Sequence, residues 1–212
     1  MKAVRIATIG MTAALASALV TVAPADASQP AAARAGTVSL AEVLAADGNR
    51  FDRTWGDFDV LDRAVSTVLD AKPASPVAVL ADGSTRLTAF LPTDRAFRRL
   101  VRDLTGTAPD TERAVFNAAA TLGVDTIEQV LLYHVVPGQT LTSGKVLKAD
   151  NVELDTAEGG DIRVNVRKAG IFLRDDDTDD LNPRVIPSLL DINKGNRQVA
   201  HGITEVLRPS NL

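Results

Sequence analysis

The stretch Thr88-Ala-Phe-Leu-Pro-Thr-Asp-Arg-Ala-Phe97 changes character halfway along. Up to Leu91 it is rich in strand formers; from Asp94 onward the apolar residues Phe97, Leu100, Val101 and Leu104 recur at helical spacing. Between the two, Pro92 is a poor residue for a continuing strand, and Thr93 or Asp94 can cap the first turn of a helix. The pattern predicts a strand-to-helix corner with Phe97 as its apolar anchor. A helix starting there puts Arg95, Arg98, Arg99 and Arg102 on one face, at i, i+3, i+4 and i+7. Asp94 with Arg98, and Arg99 with Asp103, stand at the spacing of intrahelical ion pairs. Such a stripe is either the solvated side of an amphipathic helix or a surface for anionic partners such as phosphate or acidic polysaccharide.

Upstream of this corner, Ser39 and Glu42 form a capping box for a short helix. Phe58, Leu61, Val65, Val68 and Leu69 predict a second helix over Asp57–Asp70, stopped by Pro73 and Pro76. Val77–Leu80 is apolar and Asp82-Gly83 is a turn, so residues 77–91 read as a β-hairpin. Downstream, helices fit Thr111–Leu122 and Thr126–Leu132, the latter with Asp125 and Glu128 as a second capping box. After Pro137-Gly138 the period becomes two. Ile162, Val164 and Val166 alternate with Arg163, Asn165 and Arg167, Ala169-Gly170 turns the chain into Ile171–Arg174, and a last strand spans Val199–Leu207. Helices before residue 134 and strands after it predict an α+β fold.

Composition narrows the function classes. The 212 residues carry 23 Lys+Arg against 27 Asp+Glu, a net charge of −4, which makes nucleic acid a poor partner. There is no cysteine, hence no disulfide framework, thiolate metal site or cysteine nucleophile. Lys2 and Arg5, an apolar stretch from Ile6 to Ala23 and the small-residue site Ala25-Asp26-Ala27 make residues 1–27 a secretory signal peptide. Residues 28–36 then read as a flexible linker and 37–212 as a single domain, with no membrane span left once the signal is cleaved. The expected location is extracellular, or associated with the cell envelope.

Catalytic patterns are missing from this chain. The two histidines, His134 and His201, lie in apolar contexts outside any H-E-x-x-H frame and read as buried structural groups. No G-x-S-x-G elbow occurs, and Gly138–Lys145 has the wrong spacing for a phosphate loop. The run Asp175-Asp-Asp-Thr-Asp-Asp180 opens like a calcium loop, but Asp180 and Ile186 stand where that loop needs Gly and Glu. It reads as a solvated acidic loop. Neither an enzyme, a cofactor nor a metal ligand is expected. The alternative is a secreted ligand- or calcium-binding protein, or a hydrolase, that uses residues 175–180 with His201.

Three segments carry a family resemblance. Thr88–Phe97 is similar to the first box of fasciclin (FAS1) domains, Leu131-Leu-Tyr-His-Val-Val-Pro-Gly138 to their central Tyr-His motif, and Val199-Ala-His-Gly-Ile-Thr-Glu-Val-Leu-Arg-Pro209 to their closing box. Arg197-Gln198 stand where the family usually has Asn-Gly, and Thr204 where it usually has Asp. The resemblance spans about 37–209 and implies a wedge-shaped β-sheet or sandwich flanked by short helices. It also implies a non-catalytic adhesion module that meets a cell-envelope or matrix protein, or a polysaccharide. Thr88, Phe90, Pro92, Thr93, Asp94, Phe97, Tyr133, His134 and His201 are its expected structural or interaction residues. Together with the signal peptide, the resemblance is to a secreted, bacterial-type, single-domain member.

Overall fold

The computed structural model describes residues 35–48 and 50–210; the expected signal peptide and most of the expected linker lie outside the described residues. Ser39 opens α1 (Leu40–Leu44) through the reciprocal cap its sequence predicts. Its hydroxyl accepts from the Glu42 N–H at 3.2 Å, and the Glu42 carboxylate accepts from the Ser39 N–H at 2.8 Å. α2 (Asp59–Ala71) buries Val60, Leu61, Ala64, Val65 and Val68 on one side.

The hairpin expected over residues 77–91 does not form. Pro76–Ala81 is a 3-10 helix instead, with Pro at its start and Ser75 Oγ accepting from the Val77 N–H at 3.2 Å. Val77 and Leu80, three residues apart, then both point into the core. Gly83 is a close-packing residue here, since a Cβ would stand 1.8 Å from Thr37 O. β1 (Leu87–Pro92) finds its partners much further along the chain.

After β1 come α3 (Asp94–Thr105), α4 (Glu112–Ala120), α5 (Val124–Tyr133), β2 (Val135–Pro137) and the single-turn α6 (Ser143–Val146). Then follow β3 (Glu153–Asp155), β4 (Asp161–Arg167), β5 (Gly170–Arg174) and β6 (Gln198–Ile203). β1 is the middle strand of the sheet β2-β1-β6, antiparallel to β2 and parallel to β6 from Leu87–Gln198 to Pro92–Ile203. β3-β4-β5 is a separate antiparallel sheet, and neither closes into a barrel. The alternation of a strand divides the core in two. Leu87, Ala89 and Leu91 pack with Val65, Phe97 and Leu131 on the helical side. Phe90 faces the other way, joining Tyr133 and Ile203 against Ile162, Val164 and Leu173 of the second sheet. The result is α+β in three layers: helices, central sheet, second sheet.

Several local expectations are redirected by this packing. α5 begins behind Gly123, at φ 87°, so Asp125 and Glu128 are not a capping box. Both bind Lys72 at the end of α2, Asp125 at 2.8 Å. Asp94 is fully buried and cannot pair with Arg98. Its Oδ1 accepts from the Val60 N–H at 2.9 Å, so the first residue of α3 caps α2, whose own N-cap Phe58 offers no side-chain acceptor. Arg98 turns to Asp110 at 3.6 Å, Arg99 to Glu205, and Asp103 to Arg208 at 2.8 Å. The closing strand ends at Ile203 because Thr204 Oγ1 accepts from the Arg184 N–H at 2.9 Å and the chain bends there.

Candidate binding face

All nine residues expected from the three boxes to be structural or interaction residues are buried. Thr88 Oγ1 donates to Gln139 O at 2.9 Å and accepts from the Leu141 N–H at 2.8 Å, fixing the loop after β2. Pro92 ends β1, Thr93 is the N-cap of α3, and Phe97 enters the helical cluster. Phe90 sits 6.0 Å, centroid to centroid, from the His201 ring. Tyr133 donates its hydroxyl hydrogen to Asp161 O at 2.7 Å and accepts from the Asp176 N–H at 3.2 Å, while burial, first, and nearby carboxylates raise its pKa.

The two histidines are neutral bridges of opposite tautomer. His134 ends α5 rather than lying in a strand; its Nδ1 donates to Val130 O at 2.6 Å and its Nε2 accepts from the Leu207 N–H at 2.9 Å. Burial lowers its pKa to about 4. His201 in β6 accepts at Nδ1 from the Asp191 N–H at 3.2 Å and donates from Nε2 to Leu141 O at 2.8 Å, and burial lowers its pKa too. With both nitrogens engaged, neither ring is placed to move a proton for a substrate. The departures from the family pattern are also built in. Gln198 accepts from the Leu40 N–H at 2.7 Å and donates to Val79 O and Asp82 O, both at 2.8 Å.

The acidic run 175–180 is only partly a solvated loop: Asp176, Thr178 and Asp179 are exposed, but Asp177 is buried. It wraps Arg208, whose side chain is only 3% exposed and bonds Asp177 at 2.9 Å and Asp180 at 2.9 Å. The Arg208 N–H also donates to Asp175 at 2.9 Å. Burial presses the Asp177 carboxyl upward, yet hydrogen bonds with Asp179 and the charge of Arg208 outweigh it and keep it below its usual range. A guanidinium already holds the place that a calcium ion would take, and His201 bonds elsewhere. The sequence marks the six-residue acidic run but not its counter-charge, because Arg208 lies 28 residues further on.

The outer side of α3 is at the surface. Trp55 presents its ring to this face: the guanidinium carbon of Arg98 stands 4.9 Å from the ring centroid, a cation–π contact. The Arg95 N–H donates to Trp55 O at 3.0 Å, which docks the loop carrying the tryptophan onto the helix. Arg98 is held further by Pro109 O at 2.6 Å, and Arg99 by Thr204 O at 3.0 Å and the Glu205 carboxylate. Arg95 and Arg102 are exposed, and neither makes an ion pair among the described residues. Trp55 is the wall shared by two open clefts, one of about 350 Å³ reaching Thr93 and Thr204 and one of about 290 Å³ between Arg95 and Ala108. Two arginines are thus fixed and two are free, beside an aromatic ring, on a chain of net charge −4. The four-arginine spacing was legible in the sequence; the part played by Trp55, some forty residues upstream, was not.

Comparison with known proteins agrees with the fold. A family model described as "Fasciclin domain" matches residues 64–209. Among solved structures, the chain is similar to a FAS1 domain pair from the insect cell adhesion molecule fasciclin I, at 15% identity and a TM-score of 0.54. The match covers 81% of this chain and 51% of that one, so the chain spans about half the length of the pair. No curated protein matches the sequence. Among the described residues, no helix is long and apolar enough to cross a membrane.

Proposed function

The chain belongs to the fasciclin domain family, whose members are adhesion-related modules of the cell surface and extracellular space, and from that premise we propose that it is a secreted, non-catalytic adhesion module that binds an anionic polysaccharide through the outer face of α3. In this reading residues 1–27 direct export, 28–36 are a spacer, and 37–212 are the single binding domain.

The observation that carries the reading is the pairing of Trp55 with the arginine stripe. A sugar ring can stack on the free edge and face of an indole, while carboxylate, sulfate or phosphate groups along the polymer meet Arg95 and Arg102. Arg98 and Arg99 are already immobilised by protein partners, so less side-chain entropy is lost on binding. The clefts are open rather than enclosed, which suits a chain-like ligand that passes across the surface. The nine expected residues of the family boxes are all buried and support the scaffold; within the boxes, Arg95 is the residue of the outer face that reaches the surface.

Equilibrium binding to uronic-acid, sulfated and neutral polysaccharides, repeated over a range of salt, tests this. The expected result is binding of the anionic polymers alone, weakening as salt rises because exposed charges are screened. Equal binding to neutral polymers, or capture of a protein partner that Trp55→Ala and Arg95→Ser leave intact, would overturn it.

A further inference from the structure

Three helices begin at one point. Asp59, Asp94 and Glu112 are the first residues of α2, α3 and α4, and the loop before α2 brings Asp52 and Asp57 to the same place. Oxygens of Asp57, Asp94 and Glu112 lie within 4.8 Å of one another, as do those of Asp52, Asp57 and Asp59. Asp57 belongs to both groups. Nothing in the sequence signals this cluster, since its members are spread over sixty residues.

Two of its members, Asp94 and Glu112, each leave one buried oxygen without a hydrogen bond among the described residues. Glu112 is 1% exposed and Asp94 is 0% exposed. Each spends one oxygen on a backbone N–H, Glu112 on Arg53 at 3.0 Å and Asp94 on Val60 at 2.9 Å. The second oxygens, Glu112 Oε1 and Asp94 Oδ2, are buried and accept no hydrogen bond among the described residues. No ion pair reaches either carboxylate among those residues. An unsatisfied buried carboxylate oxygen is costly, and two such carboxylates in one cluster ask for a cation.

We propose that Asp57, Asp94 and Glu112 ligate a divalent cation of the hard, oxygen-binding class, calcium foremost, with Asp52 and Asp59 completing the acidic shell. Calcium takes oxygens at about 2.3–2.6 Å, so donors on one ion stand up to about 5 Å apart, and the oxygens here, all within 4.8 Å of one another, are close enough to share one. Neither histidine belongs to the cluster and the chain has no cysteine, so the donor set selects against zinc and copper. The ion ties the loop 52–58 to the starts of α2, α3 and α4. Trp55 lies on that loop, two residues from Asp57, so the same ion steadies the tryptophan of the outer face. The inference stands on the carboxylates alone and does not depend on what that face binds.

The test is a melting curve of the EDTA-treated protein with and without millimolar calcium chloride. The wild type is expected to gain about 3–6 °C at tenfold excess over Kd. Glu112→Gln, which retains an acceptor for the Arg53 N–H, should fold in EDTA and lose the gain; Asp176→Asn, an exposed position of the acidic run, should keep it. Terbium binding to the wild type reads the same site without a variant. Emission sensitised by Trp55, the only tryptophan, and quenched by added calcium supports the proposal. No calcium gain in the wild type, an undiminished gain in Glu112→Gln, a gain lost in Asp176→Asn, or emission sensitised only by Tyr133 beside the acidic run would each overturn it.

Discussion

Asp94 and Arg95 are consecutive residues of α3 that belong to different regions of the molecule. Asp94 is fully buried and caps α2; Arg95 is exposed beside Trp55. The inner face of α3, with β1, holds the residues that make the family recognisable, and they are engaged in packing and internal hydrogen bonds. The outer face holds the groups free to meet a partner, and little of it belongs to any box. Recognisability and contact with a ligand are therefore separate properties of this chain. Variants of the two faces should separate them in experiment: inner changes lower stability at constant affinity per folded molecule, outer changes do the reverse.

The largest effect falls inside. Phe90→Ala empties the space between the two sheets and is expected to cost about 4 kcal/mol in urea unfolding, with unchanged polysaccharide affinity of the folded fraction. Next comes Arg208→Met, which leaves Asp177 buried without its counter-charge and is expected to cost about 3–4 kcal/mol. A loss well under 1 kcal/mol would mean that the acidic run tolerates losing its cation.

His134 contributes through pH. Its folded pKa, about 4, lies below the unfolded value near 6.5. The unfolded chain takes up the proton first, so this stability is present above about pH 6.5 and is lost as pH falls toward 4, up to about 3 kcal/mol. The difference in unfolding free energy between wild type and His134→Gln, followed over that range, should narrow as pH falls. A difference independent of pH would contradict the buried neutral ring. Smallest of all, Arg95→Ser should leave unfolding within about 0.5 kcal/mol of wild type while weakening anionic polysaccharide binding about five- to tenfold.

The same division explains what could be read before the fold was known. The corner at Pro92-Thr93, the Ser39–Glu42 cap and the alternation of Ile162, Val164 and Val166 are local, and the structure keeps all three. The supposed hairpin failed because β1 pairs in parallel with β6, more than a hundred residues later, a choice that turn chemistry at Asp82-Gly83 cannot reveal. The helix-face ion pairs failed because Asp94 and Asp103 have better partners across space, Val60 N–H and Arg208. A sequence displays charge density but not compensation. The dense run 175–180 turns out to enclose an arginine, whereas Asp57, Asp94 and Glu112, scattered in sequence, come together in space.

The most direct test of the account is the affinity of Arg95→Ser/Arg102→Ser for an immobilised anionic polysaccharide, measured beside its melting temperature. The account predicts a loss of at least tenfold in affinity at a melting temperature within about 2 °C of wild type. Wild-type affinity in that double variant would contradict the assignment of the outer face of α3 as the binding surface.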